Sequence, residues 1–598
     1  MNSSPFKHEG WLYWLAFLIA LGFRLIQLGA SPLTDSEATL ALQALHLAQG
    51  KAPLLGSQPG YILLTSILFA VIEATNFMAR VVPALVGSAL ALVPYFFRDK
   101  IKPRPALILA FLFAIDPGLV ALSRQAGGTV LAVTFLLLAW AMWRSGRLIP
   151  AGVFAGLALL SGPSLWAGLL VLGLTWLFLQ GTSRPASSET TEEQSPISSL
   201  PITNSQLSRS IPVGLTSQYR PTLLALLITL LLGSTLFFLS PNGLSAWLSA
   251  LPDYLEGWTA PSSMSPGRVL LTFLAYEPLG LFLAILSLLR GYRINSRRIF
   301  RLGLWLGVAL LIAIFYRQGN ELAWAIIPLL ALAARELSRA FNILAEERVE
   351  VGVVVLALMI LLVYMWFDVS KIALDPFGSL APTALPIFGR SIQLAGAPYI
   401  VLLGAFLIII LCVAFVAFGW SARTAWLGTT WASVIFLGLY SLASAWSASG
   451  LRARNGLELW APDQPPAQPA LLLASVDDVS EFSLGHDTSQ PVTVMGIDSP
   501  ALEWVLRDRP VEFVSALDPQ VAPPIVVTPL MDENALGLPA AYRGQDFTWR
   551  QRPRWDELQN PDWMRWLVFR QLPREDETII LWVRDDLFPD ARETTQQP

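Results

Sequence analysis

Asp35 and Glu37 stand two positions apart in residues 31–51, SPLTDSEATLALQALHLAQGK, just after the first apolar run. Two acids at the edge of an apolar span can act as a general base toward an incoming hydroxyl, or together hold a divalent cation. The same spacing suits plain helix-start chemistry. Asp35 would cap a helix over residues 36–49, and Glu37 in the first turn would be favoured by the helix dipole. Arg80, Arg124, Arg317 and Arg268 lie near the ends of other apolar runs. There a guanidinium can grip phosphate oxygens with two prongs, or merely snorkel to the interface. No Walker loop, dinucleotide fingerprint, serine elbow or HExxH motif occurs in a suitable context, which argues against nucleotide-dependent chemistry. His8, His46 and His486 have no partners at ligand spacing, and the lone Cys412 sits in an apolar run.

These side chains must be positioned by membrane spans. Of 598 residues, 54% are hydrophobic and 14% charged, which marks a polytopic α-helical membrane protein. The net charge of −3 gives no reason to expect a nucleic-acid partner. Arg98, Lys100, Lys102 and Arg104 mark one cytoplasmic loop, and Arg290, Arg293, Arg297, Arg298 and Arg301 another. Counting between them gives about 13 crossings, with the N-terminus cytoplasmic. Residues 1–447 form the membrane domain, with a first outer loop at 30–76 and a disordered cytoplasmic loop at 181–220. Residues 59–76 are too short and interrupted to cross, and suit helices lying at the outer surface. A polar cytoplasmic helix is expected over 335–350, and further outer loops over 241–268 and 368–396. The sequence gives no clear sign of paired broken helices around a midplane site, as a solute transporter would need.

Residues 448–598 lose the apolar periodicity and read as a small extracytoplasmic α/β domain. Strands are expected over 491–497, 511–514, 525–528 and 578–583, and helices over 501–507 and 562–571.

Three segments carry a family resemblance: Pro59-Gly60-Tyr61, then NFMARVVPALVGSALALVPYFFRDK, then AIDPGLVALSRQAGG. They resemble the amino-terminal half of family 39 glycosyltransferases, which are GT-C membrane enzymes using polyprenyl-phosphate sugars. The ending YRGQDFTWRQRPRWDELQNPDWMRWLVFRQLPREDETIILWVRDDLF is similar to that of bacterial and archaeal proteins grouped with an archaeal flippase-associated glycosylation protein. The first resemblance implies a GT-C fold in the plasma membrane and inverting transfer of a hexose or pentose to an extracytoplasmic lipid, glycan or protein. Asp35 or Glu37 would be the base, although the family's usual Asp-Glu-Ala is here Asp35-Ser36-Glu37-Ala38. Arg80, Arg124 and Arg317 would be candidates for a lipid-phosphate clamp. Glu321, with Trp324 and Pro328, resembles the family's polar-aromatic-proline segment. Asp116 could stand in for the acid that usually follows Ser123-Arg124, although a kinked helix end before Pro117 also explains it. No cofactor is required; a divalent ion at Asp35 and Glu37 would be optional. The altered acidic pair leaves an alternative: an accessory protein for flipping or exporting lipid-linked glycans that keeps the scaffold without the activity.

Overall fold

The computed structural model describes residues 9–181, 213–238, 240–262, 264–344, 346–387, 390–451, 457–460, 463–485, 490–518, 520–531 and 540–588. Apolar sequence in a bilayer must satisfy its backbone internally, so the described residues up to 450 are mostly helical. Among the described residues five helices are long and apolar enough to cross alone: Asn76–Phe96, Arg297–Tyr316, Arg348–Leu374, Ala397–Gly419 and Ala422–Ala448. Three pairs reach that length only together, and each is bent. Pro103–Ile115 meets Pro117–Ser123 at 55°, Leu148–Leu159 meets Ser164–Gln180 at 116°, and Pro266–Tyr276 meets Pro278–Arg293 at 86°.

A proline stands at every break: Pro117, Pro163 and Pro278. Each removes an amide donor and clashes with the preceding turn, so the helix cannot run on straight. Among the described residues, length and composition give at most eight spans, fewer than the expected count of about 13. Part of the difference falls on apolar helices too short to span, such as Pro59–Val71 and Thr129–Arg144. Residues 182–212, most of the expected cytoplasmic loop, lie outside the described residues, and helix Val213–Ser234 begins inside that expected loop. The expected polar helix over 335–350 is divided: helix Ala323–Ala340 ends in it and helix Arg348–Leu374 begins in it.

In the third expected outer loop, strands β1 (Pro382–Ile387) and β2 (Arg390–Ala395) form an antiparallel hairpin. The C-terminal sheet contains β3 (Val492–Met495), β4 (Val511–Val514), β5 (Ile525–Pro529), β6 (Tyr542–Pro553) and β7 (Arg574–Arg584), in the order β4-β3-β5-β7-β6. β3 runs parallel to β4 and β5, whereas β7 runs antiparallel to β5 and β6. Alternation along β7 divides its side chains between two faces. Ile579, Leu581 and Val583 join the large core shared with the membrane helices, while Ile580 and Trp582 pack with Val526 and Tyr542 on the other side. One face of the sheet is therefore covered by protein, and the domain is docked rather than tethered.

Candidate active site

Helix Asp35–Ala48 starts with a reciprocal cap. The Glu37 amide donates to Thr34 Oγ1 at 3.4 Å, and the Thr34 amide donates to Glu37 Oε2 at 3.1 Å. Thr34, not Asp35, is thus the cap, one position earlier than expected from the sequence. Two positions apart on a helix, the side chains of Asp35 and Glu37 project about 200° apart and so meet different partners. Glu37 is only 5% exposed, as is Arg80 facing it. Arg80 Nε donates to Glu37 Oε1 at 2.8 Å and Nη2 to Oε2 at 2.5 Å, a two-pronged pair. The Ala126 amide adds a third donor, to Oε1 at 2.9 Å. Burial pushes the Glu37 carboxyl up. The Arg80 charge and hydrogen bonds, with the Ala126 and Thr34 amides, outweigh it and hold the group below the usual carboxylate range. Arg80 spends its other donors on the carbonyls of Leu28, Ser31 and Pro32, at 2.7 to 3.3 Å. Its guanidinium is saturated by protein.

Asp35 faces the C-terminal domain. Its Oδ1 accepts from Ser499 Oγ at 2.7 Å and from the Ala501 amide at 3.1 Å, and its Oδ2 accepts from Arg550 Nη2. Every protein group on the two carboxylates is therefore a hydrogen-bond donor. A cation would have to displace guanidinium and amide hydrogens, so this arrangement does not fit the optional divalent ion. Among the described residues no group of three or more ligating His, Cys, Asp or Glu occurs.

Beside Glu37 lies a cavity of about 320 Å³, lined by Thr34, Ser36, Gln58, Gln125, Gly128 and Asn320 among others. A second, of about 280 Å³, is lined by Arg317, Gln318, Gly319 and Met264; Ser36, Asn320 and Asp463 line both. Each is near the lower end of the usual range for small-molecule sites. Much of the shared wall is hydroxyl and amide, the chemistry that recognises neutral polyols. The backbone comes close here: a Cβ on Gly128 would lie 1.9 Å from the Ser161 carbonyl oxygen, so only glycine fits. The Gly128 amide donates to Gln58 Oε1 at 2.7 Å, which fixes that side chain in the wall.

The candidate residues go to different places. Arg317 is exposed and lines the second cavity, and among the described residues its guanidinium makes no hydrogen bond or ion pair. It holds a left-handed conformation at φ 58° where helix Arg297–Tyr316 ends, a position that ordinarily favours glycine. Arg124 instead closes the end of helix Glu9–Leu25, donating to the carbonyls of Phe23, Arg24, Ile26 and Gln27. Arg268 lies 4.8 Å from the ring of Trp555. Asp116 is buried at the first proline break, where it accepts from the Leu119 amide at 2.8 Å and caps the following helix. Glu321 is buried behind the cavity wall, accepting from Ser164 Oγ at 3.0 Å. The structure thus brings Glu37, Arg80 and Arg317 to the cavity region and leaves Arg124, Asp116 and Glu321 as wall or helix-end groups.

Sequence reasoning missed Gln58, Asn320, Asp463 and Arg550. Gln58 precedes Pro59 and Asn320 precedes Glu321, but no spacing signals any of the four.

No family model matches this sequence, and no curated protein matches it either. Among solved structures, the chain is similar to ArnT from Cupriavidus metallidurans bound to undecaprenyl phosphate. The TM-score is 0.51 at 14% identity, over 97% of this chain and 99% of that one. The apo state of the same protein aligns with a TM-score of 0.47 at 12% identity, over 97% and 98%. The chain has an ArnT-like GT-C fold. It is a polytopic helical membrane protein with a small C-terminal sheet domain.

Proposed function

We propose that the protein is a membrane glycosyltransferase that moves a sugar from a polyprenyl-phosphate donor to a hydroxyl on an extracytoplasmic lipid, glycan or protein. The observation that carries this reading is the pair of adjoining cavities, with polar neutral walls, an acidic edge and one uncommitted guanidinium, Arg317. The fold likeness to a protein crystallised with undecaprenyl phosphate supports a polyprenyl-phosphate donor. The segments quoted above support family 39 within the GT-C group. The cationic loops support a plasma-membrane orientation with the C-terminal domain outside.

In the proposed reaction the acceptor oxygen attacks the anomeric carbon and loses its proton to a carboxylate. The bond from that carbon to the phosphate oxygen breaks, and its electron pair leaves with the lipid phosphate. Arg317, which lines the second cavity, would neutralise that leaving group, whereas the donors of Arg80 are already in use. Glu37 borders the cavity as part of the Arg80 clasp. The test is transfer from labelled undecaprenyl-phosphate sugars by protein in nanodiscs, read as release of undecaprenyl phosphate. Turnover dependent on Arg317 is expected.

A second reading, an accessory protein for lipid-linked glycan flipping or export, is favoured by one observation. Both oxygens of each first-loop carboxylate already accept hydrogen bonds from protein donors. Tight binding of the same lipids with no release would establish it in place of the first.

A further inference from the structure

We propose that Asp463 is the carboxylate that receives the acceptor proton, and that Asp35 and Glu37 position the site around it. This deepens the glycosyl-transfer reading and rests on it. Glu37 and Asp463 are the acidic residues lining the two cavities, and Asp463 lines both. The Glu37 oxygens are occupied by Arg80, Thr34 and Ala126. A carboxylate held by a charged two-pronged partner is a poor base, because taking up a proton means giving up that pair. Asp463 is half-buried and, among the described residues, makes no hydrogen bond or ion pair. Asn320 also lines both cavities, and its Oδ1 is buried without a hydrogen-bond partner among the described residues.

Position matters as much as availability. Asp463 belongs to the connection between the last membrane helix, Ala422–Ala448, and the C-terminal domain, and that connection is pinned on both sides. Before it, Leu457, Leu459 and Trp460 are 3%, 0% and 1% exposed. The Leu459 amide donates to Tyr276 Oη at 3.2 Å, and Trp566 Nε1 donates to the Leu457 carbonyl at 2.9 Å. After it, the Ala467 amide donates to the Trp549 carbonyl at 2.7 Å, and the Thr548 amide to Gln468 Oε1 at 2.9 Å. Docking of the C-terminal domain therefore sets where Asp463 sits. The Asp35 contacts with Ser499, Ala501 and Arg550 are part of that docking.

The chemistry balances without any co-reactant. The acceptor O–H proton passes to Asp463, the new C–O bond forms, and the lipid phosphate leaves with the electrons of the broken bond. The experiment compares wild type, Asp463→Asn and Asp463→Glu in full-length protein, by undecaprenyl-phosphate binding and by transfer over a range of pH. Asp463→Asn should lose about 100-fold or more in turnover, keep lipid binding and thermal stability, and flatten the acid side of the pH profile. Asp463→Glu should recover part of the rate and restore that limb with a shifted midpoint. Turnover by Asp463→Asn within a few-fold of wild type overturns the assignment and leaves the glycosyl-transfer reading standing. Loss of lipid binding equal to the loss of rate also overturns it, since the residue would then be a wall of the site. No transfer by wild type removes the reading and the assignment together.

Discussion

At the scale of single residues, the Glu37–Arg80 clasp is a buried, two-pronged ion pair beside the first cavity. Neither partner can lose the other cheaply: Glu37→Gln leaves a buried guanidinium charge without its counter-ion, at about 3–5 kcal/mol. Thermal unfolding in detergent should show a large drop in stability for this variant. The clasp also sets an acid limit. The folded carboxyl titrates below its unfolded value of about 4.3. Its contribution is therefore complete above the unfolded value and disappears as pH falls through the folded one. Unfolding measured from neutral to acid pH should decline steeply for wild type, and the decline should be shallower in Glu37→Gln. Arg317 makes the opposite bargain. Its left-handed backbone costs stability, while among the described residues its guanidinium makes no hydrogen bond or ion pair. Arg317→Gly should keep or raise stability by up to about 1 kcal/mol. The same change should weaken undecaprenyl-phosphate binding about 10- to 100-fold, the worth of a charged hydrogen bond. A binding titration beside a melting curve separates the two effects.

At the scale of elements, proline and glycine decide how the helices meet. The prolines at 117, 163 and 278 turn three apolar stretches into bent pairs. Helix Ser164–Gly181 can approach helix Ala323–Ala340 because a Cβ on Gly168 would lie 2.2 Å from the Trp324 ring. That ring is itself held, its Nε1 donating to the Ser164 carbonyl at 3.1 Å. Gly168→Ala should therefore destabilise by about 1–3 kcal/mol through overpacking, read as a lower melting temperature. Helix Asp35–Ala48 and the C-terminal domain are joined through Asp35, with Trp504 Nε1 donating to Asn76 Oδ1 at 2.8 Å as a second tie. Asp35→Ala should speed amide exchange in helix Pro500–Val505 about tenfold or more, for loss of a charged hydrogen-bond set. Unchanged exchange there would remove Asp35 from the docking contact.

At the scale of the whole molecule, the sheet domain and the membrane helices share one core, and the candidate site lies where they meet. The orientation inferred from the cationic loops makes a labelling prediction. In a Cys412→Ala background, Asp508→Cys should react with an impermeant thiol reagent on intact cells. Arg301→Cys should react only after permeabilisation. The reverse pattern would invert the topology and remove the site from the outer side.

Much of this architecture is legible in the chain. Apolar run length and basic loops identify a polytopic helical protein, because bilayer thickness and membrane charge asymmetry act on local sequence. The parallel strands β3, β4 and β5 are near-continuous apolar or β-branched runs, and they fall where the sequence places them. β6 does not, because YRGQDFTWRQRP is too polar to stand out, and pairing with β7 supplies what its own pattern lacks. The acidic pair is visible in the sequence, but its division of labour is not. The two side chains project about 200° apart on the helix, and only the tertiary fold puts the C-terminal domain beside Asp35 and Arg80 beside Glu37. Asp463 and Asn320 join Glu37 around one cavity only because three distant segments fold together. Sequence alone determined what is local: which stretches are apolar, where the prolines break them and which ends are charged. Tertiary structure decided which charges are consumed and which remain free, since that depends on partners brought together across the whole chain.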